Sequence, residues 1–249
     1  MQTALVTGAS AGFGAAIARQ LLHDGMRVVL AARRHDRLAE IAAAHPGHAH
    51  AVPMDVSRRD SIQAALASLP DAFARIDVLV NNAGLARGLA PAQEADTADW
   101  DEMIATNCAG LVHVTRALLP GMVERGSGTI VNLGSIAGEF PYPGGNVYGA
   151  TKAFVHQFTQ NLNADLIGTG VRATCIEPGL CGGTEFSAVR FKGDLQRAQA
   201  AYQGVQPLTA EDIADTVSWV VRRPAHVTIN TLSMMPNCQS FAPLAVRRT

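Results

Sequence analysis

Tyr148 and Lys152 stand four residues apart in Tyr148-Gly149-Ala150-Thr151-Lys152, a spacing that puts both side chains on one face of a helix. Ser135 lies thirteen residues before Tyr148, just past the predicted strand Thr129–Leu133. Ligands of doubly wound sheets bind beyond the carboxyl ends of strands, so a reacting group belongs there. These residue types suit removal of an alcohol proton while hydride leaves the same carbon. A tyrosine whose phenol titrates at its ordinary value near ~10 is a poor base at neutral pH. A lysine ammonium at ~4 Å favours the phenolate by roughly 4 kcal/mol at an effective dielectric of ~20. That corresponds to about three pKa units at ~1.4 kcal/mol each. Ser135 can hydrogen-bond the substrate oxygen and aim it. Asn107, within the predicted helix Thr97–Met122, could kink that helix or bind a water that links Lys152 to solvent. The bland reading of a mid-helix Asn is a satisfied polar residue.

At the other end of the chain, a strand leads into Thr7-Gly8-Ala9-Ser10-Ala11-Gly12-Phe13-Gly14, and a helix follows. Gly8 permits the tight turn, Gly12 lets backbone approach a pyrophosphate, and Gly14 lets the helix pack close to the sheet. Unpaired N–H groups at the helix start face the phosphates. The second predicted strand ends Leu30-Ala31-Ala32-Arg33-Arg34. A site for NAD usually carries an acid there, on the ribose 2′-hydroxyl. Guanidinium groups suit a 2′-phosphate instead, and Ser10 adds a hydroxyl, so the expected cofactor is NADP. The positive charge of an oxidised nicotinamide would favour the Tyr148 phenolate further, and Lys152 can hold the nicotinamide ribose. Asp55 and Val56 follow the third strand. Asp55 either accepts from the adenine amino group, with Val56 packing beside it, or is a helix N-terminal acid favoured by the dipole.

These groups need a frame. The predicted strands are Thr3–Thr7, Arg27–Ala31, Ala49–Pro53, Val78–Asn81, Thr129–Leu133, Val171–Ile176 and Thr228–Leu232. Several are nearly continuous apolar runs, as in parallel strands buried on both faces. Helices are expected at Gly12–His23, Ser57–Leu69 with a Ser57 cap, Thr97–Met122, Asn146–Ile167 and Ala210–Val221 after a Thr209 cap. Repeated β-α-β units imply an α/β fold: a Rossmann-type doubly wound parallel sheet of about seven strands. The 249 residues carry no composition break, so a single domain over 1–249 is expected. The segment Gly182–Gln206 is long and polar for a connection, which suggests a lid. The tail Pro236–Thr249 could wrap a neighbouring subunit.

Composition narrows the partners. Hydrophobic residues make up 48% and charged residues 16%, with a net charge of −1. That supports a large core and offers no bulk field for nucleic acid or an anionic membrane. No apolar run approaches the roughly 20 residues that cross a bilayer. Cys108, Cys175, Cys181 and Cys238 are scattered, and no basic leader precedes the first strand. Both point to a cytoplasmic protein with reduced thiols. No metal is expected: His45, His48 and His50 cluster without a Cys or carboxylate at ligand spacing. Cys181 lacks a nearby His that would make it a nucleophile. Trp100 and Trp219 read as helix–sheet packing.

Taken together, Gly8-x-x-x-Gly12-x-Gly14, Asn81-Asn82-Ala83-Gly84, Asn107, Ser135, Tyr148-x-x-x-Lys152 and Pro178-Gly179 resemble the short-chain dehydrogenase/reductase superfamily over the whole chain. The resemblance implies a catalytic tetrad of Asn107, Ser135, Tyr148 and Lys152. It also carries cofactor contacts onto Asn82, Tyr148, Lys152, Pro178, Gly179, Gly183, Thr184 and Phe186. Phe13 replaces the usual Ile or Leu of the glycine turn and alters the lip of the nicotinamide pocket. Longer runs, among them Phe140–Tyr148, Ile176–Phe186 and Val189–Asp194, are similar to the bacterial NADP-dependent 3-hydroxy acid dehydrogenases. That likeness implies hydride transfer at C3 of small 3-hydroxy acids and a homotetramer built on Thr97–Met122 and Asn146–Ile167.

A small hydroxy acid needs its carboxylate neutralised. The lid segment supplies Arg190 and Lys192, and a guanidinium can take a carboxylate bidentately; Arg190 as a solvated helix charge is the equal alternative. Ser135 and Tyr148 complete the expected substrate contacts. A ketoreductase for 3-oxoacyl or polyol substrates keeps fold and cofactor and changes only the substrate. A noncatalytic NADP sensor would be expected to lose Tyr or Lys from the tetrad.

Overall fold

The computed structural model describes residues 1–200 and 202–241. Seven parallel strands form one sheet in the order β3-β2-β1-β4-β5-β6-β7. They are β1 Thr3–Thr7, β2 Arg27–Ala32, β3 Ala49–Pro53, β4 Val78–Asn81, β5 Gly128–Leu133, β6 Val171–Pro178 and β7 Thr231–Met234. The helices are α1 Gly12–His23, α2 His35–Ala43, α3 Arg59–Ala67, α4 Asp71–Ala74, α5 Thr97–Ile104, α6 Leu111–Glu124, α7 Asn146–Asp165, α8 Phe186–Arg190, α9 Leu195–Ala200 and α10 Ala210–Val221. Strand order reverses at β1, whose neighbours are β2 and β4. A crevice opens at such a reversal, and the glycine turn leaves β1 into it.

Alternation along the strands divides the core into two layers. Ala4 and Val6 face α1 and α10, packing with Ile17, Leu21, Ile213 and Val217. Leu5 faces the other side, where Val114, Met122, Ile130 and Leu162 sit. A fully buried Leu or Ile contributes roughly 1.5–3 kcal/mol. Such packing holds α1 in place, because Ala11 at its N-cap makes no side-chain capping bond. In contrast, α10 starts with a full capping box between Thr209 and Asp212.

Several boundaries differ from the sequence reading. The last strand is Thr231–Met234, because Thr231 pairs with Cys175 and Met234 with Pro178. Pro224 and Val227 instead lend their carbonyls to the Arg172 guanidinium. Ser57 does not cap α3: its N–H and hydroxyl both donate to Asp55 Oδ1, and the helix starts two residues later. The helix expected over Thr97–Met122 is interrupted by a π-helical segment, Ala105–Gly110. Its widened turn coincides with Gly110, where a Cβ would come within 2.9 Å of Val56. The polar-faced α2 has only Leu38 and Ile41 buried, too weak a pattern for the sequence to announce. Trp100 does pack, donating to Asn146 Oδ1 at 3.2 Å. Trp219 is 42% exposed and lies under the Arg223 guanidinium instead.

Candidate active site

One cavity of about 780 Å³ runs along the carboxyl edge of the sheet. Gly8, Ser10, Gly12 and Phe13 line one end, with Arg33, Arg34, Asp55, Val56 and Asn82. Gly8 and Gly12 have φ of +67° and +52°, a region open to glycine at little cost. A Cβ on Gly14 would collide with the Gly8 carbonyl, so α1 can start only this close to β1 with glycine there. Asn82 braces the turn by donating from Nδ2 to the Thr7 carbonyl at 2.8 Å. The Thr7 hydroxyl accepts from the Asn82 and Ala83 N–H groups, both at 3.0 Å. α1 has neither a side-chain cap nor an acid in its first turn, so its first N–H groups have no side-chain partner there.

Arg34 Nε donates to Ser10 Oγ at 3.2 Å. Its Nη1 pairs at 2.8 Å with Glu185, which lies just before α8. Arg37 Nη1 reaches the other oxygen of the same carboxylate at 2.6 Å. Sequence reading gave no role to Arg37 or Glu185, which lie 148 residues apart. The two arginines hold the Glu185 carboxyl below its usual range, Arg37 most strongly. Asp55 Oδ1 accepts from the N–H and hydroxyl of Ser57, so the acid shapes the turn into α3 as well as lining the cavity.

Tyr148, Lys152 and Ser135 line the other end of the same cavity. Lys152 Nζ donates to the Leu133 carbonyl at 2.8 Å and stands 5.8 Å from the Tyr148 ring centre. The expected drop in the phenol pKa does not appear. Burial pushes Tyr148 well up, while Ser135 and Arg190 pull against it. Burial also takes Lys152 down to about 8. Desolvation exceeds the charge effect here because both groups are enclosed and the ammonium lies farther away than a direct contact. Ser135 caps a short 3₁₀ turn, its Oγ accepting from Ala137 N–H at 3.1 Å.

Asn107 sits in the π-helical segment and is buried. Its Nδ2 donates to the Leu85 carbonyl at 2.8 Å and to Thr151 Oγ1 at 3.1 Å. Its Oδ1 accepts from Leu85 N–H at 2.9 Å. The amide therefore joins the stretch after β4 to α7, one residue from Lys152. Asn81 extends this polar seam by donating to Thr115 Oγ1 and Asn132 Oδ1, and Asn132 donates to Thr159 Oγ1, each at 2.9 Å.

The stretch after β6 contributes Glu185, Ser187, Val189 and Tyr202 to the cavity wall. Thr184 and Phe186 line the cavity, and a Cβ on Gly12 would meet Thr184 at 3.3 Å. Pro178 and Gly179 also line it, whereas Gly183 and Gly14 lie outside its wall. Arg190 Nη2 donates to the Tyr142 hydroxyl at 2.6 Å, and its guanidinium centre is 5.4 Å from the Tyr148 ring centre. Lys192 turns away to Asp99 at 2.9 Å, with φ at +52°, so only the first of the two expected cations joins the site. The beginning of the expected tail folds onto its own chain. Gln239 Oε1 accepts from Leu180 N–H at 2.6 Å, and Phe241 packs on Phe140 with ring centres 4.2 Å apart. The rest of that tail, 242–249, lies outside the described residues.

The other signals resolve locally. His45 and His48 bond nearby carbonyls, and His50 packs on Phe73. Burial pushes the Cys181 thiol up to about 12, away from nucleophilic duty.

Known proteins share this frame. The short chain dehydrogenase family matches residues 2–194. The NADP-dependent 3-hydroxy acid dehydrogenase of Escherichia coli (strain K12) is 56% identical over 244 residues, 98% of each chain. Serine 3-dehydrogenase of Agrobacterium fabrum is 48% identical over 246 residues, 99% of this chain and 98% of that one. A solved closed form of serine dehydrogenase complexed with NADP+ superposes with a TM-score of 0.98 at 55% identity, covering 100% of both chains. A fold with the glycine turn at its strand reversal, and Ser135, Tyr148 and Lys152 in one cavity, is thus matched at nearly full length, and the chain belongs to the short chain dehydrogenase family.

Proposed function

We propose that this chain is an NADP-dependent oxidoreductase that moves hydride at C3 of small 3-hydroxy acids, of the serine, allo-threonine and 3-hydroxypropionate/malonic semialdehyde type. The observation that carries the reading is the shared cavity: Tyr148, Ser135 and Lys152 line it together with the glycine turn and Arg34. The names of the close relatives support the same chemistry.

The residues fit the dinucleotide. Gly8, Gly12 and Gly14 leave room where Cβ atoms would intrude, and the uncapped start of α1 suits a pyrophosphate. Arg33, Arg34 and Ser10 would hold the 2′-phosphate. Asp55, Val56, Asn82, Phe13, Pro178, Gly179, Thr184 and Phe186 would hold the rest, with Tyr148 and Lys152 at the nicotinamide end; Gly183, outside the cavity wall, would make no such contact. The oxidised cofactor, when bound, would supply the hydride acceptor and a positive charge.

The chain's own groups handle the proton and the substrate. Ser135 Oγ orients the substrate oxygen. Tyr148 Oη exchanges the proton with that oxygen. The enclosed phenol is protonated at neutral pH, ready to donate to a carbonyl; oxidation requires that proton to leave first. Lys152 holds the ribose and keeps a cation near the phenol. Asn107 fixes Leu85 and Thr151 around Lys152, and a water-linked proton path leads from Lys152 through this region. Arg190, held by Tyr142, takes the carboxylate as residues 182–206 close as a lid. A Tyr148→Phe variant tests the assignment: turnover should be lost while NADPH binding is kept. Retained turnover would defeat it.

The reading extends to a cytoplasmic homotetramer. Ile104 on α5 and Phe154 on α7 are 48% and 42% exposed, apolar surface on the elements expected to pack between subunits. Sedimentation velocity tests the assembly. Among the described residues no helix is long and apolar enough to cross a membrane.

A further inference from the structure

Arg87, in the stretch after β4, lines the cavity, yet its donors are engaged by protein. Nε and Nη2 donate to the two oxygens of Glu102 on α5, at 2.7 and 3.0 Å. Nη1 donates to the Val189 carbonyl, in the last turn of α8, at 3.0 Å. The next residue extends the link. Gly88 N–H donates to the Arg190 carbonyl at 2.9 Å, and Arg190 Nε donates back to the Gly88 carbonyl at 3.2 Å. Helix α8 has only five residues, a length that its own hydrogen bonds do not hold in place. Contacts from residues 87 and 88 therefore set where its end lies. The Arg190 side chain leaves from that end, and its guanidinium centre stands 5.5 Å from the Tyr142 ring centre and 5.4 Å from that of Tyr148.

Glu102 stands behind this contact and is not among the cavity liners. Both members of the pair are partly buried, and Arg87 holds the Glu102 carboxyl below its usual range. A guanidinium matched by a carboxylate on two donors has little charge left for a second anion. Arg190 has no such acid: its side chain donates to the Gly88 carbonyl and the Tyr142 hydroxyl. The two arginines are thus equipped for different work. We infer that Arg87, backed by Glu102, is a positioning residue that makes no substrate contact and fixes the end of α8 so that Arg190 faces Tyr148 and takes the substrate carboxylate. The inference rests on the proposed function, in which Arg190 is the carboxylate contact.

Steady-state oxidation of L-serine and 3-hydroxypropionate with NADP tests it in Arg87→Met, Glu102→Gln, Arg190→Met and the Arg87→Met/Arg190→Met double variant. Arg87→Met should raise KM for the acid roughly 10-fold while kcat stays within about 3-fold, the pattern of lost substrate binding. The Kd for NADP, measured by calorimetry, should stay within about 2-fold. Glu102→Gln separates the two roles open to Arg87. It releases the guanidinium, so KM should rise if Arg87 acts through α8 and fall if Arg87 itself grips the carboxylate. In the double variant, Arg87→Met should add less than about 2-fold to the loss caused by Arg190→Met, because the first residue works through the second. An unchanged KM in Arg87→Met, a lower KM in Glu102→Gln, or a full second loss in the double variant each overturns the positioning role and leaves the proposed function standing. Failure of the parent protein to turn over either acid overturns the proposed function, and this role with it.

Discussion

Arg37 Nη1 donates to Glu185 Oε1 at 2.6 Å, joining positions 148 residues apart. Arg37 is not among the cavity liners, while Glu185 is. The pair therefore acts between protein elements, tying the start of α8 to α2 beside the expected 2′-phosphate site. An exposed pair of this kind contributes ~0.2–1 kcal/mol. Arg37→Gln should loosen the segment 182–206 and speed tryptic cleavage at Lys192 and Arg197, with cofactor affinity falling by no more than ~5-fold. Because the Glu185 carboxyl is held below its ordinary range, the tie is present at neutral pH and is lost as pH falls through that lowered value. Unchanged cleavage in the variant would count against the tie.

Arg34 bridges Ser10 and Glu185 at the end of β2. Arg34→Glu, and Arg33→Glu beside it, should raise the NADP Michaelis constant by roughly 10- to 100-fold, the scale of a lost charge-assisted hydrogen bond. The NAD constant should stay within about 3-fold. Equal losses for both cofactors would remove the phosphate assignment.

Lys152 is enclosed, and burial brings its folded pKa down to about 8 from the ordinary 10.5. Between those values the unfolded chain binds more protons than the folded one, so stability rises with pH across that window. The rise is at most about 3 kcal/mol at ~1.4 kcal/mol per unit. Lys152→Met should flatten this part of the Tm-against-pH curve relative to the parent. Parallel curves for the two proteins would contradict the assignment.

Asn132 sits fully buried between Asn81 and Thr159. Asn132→Ala removes both bonds and opens a small void, an expected loss of about 2–4 kcal/mol in urea unfolding. Thr159→Val keeps the volume and strands one donor, so about 1–2 kcal/mol is expected. A loss below that of an ordinary surface substitution would show that the seam is not stabilising.

How much of this was legible follows the range of each signal. α1, α10 and the strands β1, β3 and β4 stand where the sequence places them, because caps, glycine turns and apolar runs are local. β7 was misplaced because pairing with β6 defines it, and its own four residues are not fully buried. The break in the long helix at Ala105–Gly110 depends on what packs against Gly110, which the chain order does not reveal.

By itself the sequence singled out the candidate reactive set and the candidate phosphate end. Tyr148 and Lys152 share a helix turn, and the glycine turn is contiguous, so their chemistry is written in spacing. Only the tertiary structure decided the balance of forces on that set. Burial raises the phenol and lowers the ammonium, since solvent exclusion comes from every element around them. Tertiary packing also chose Arg190 over Lys192 and set Glu185 against Arg34 and Arg37. Those relationships join residues from separate elements, and only the folded chain brings such groups within reach of one another.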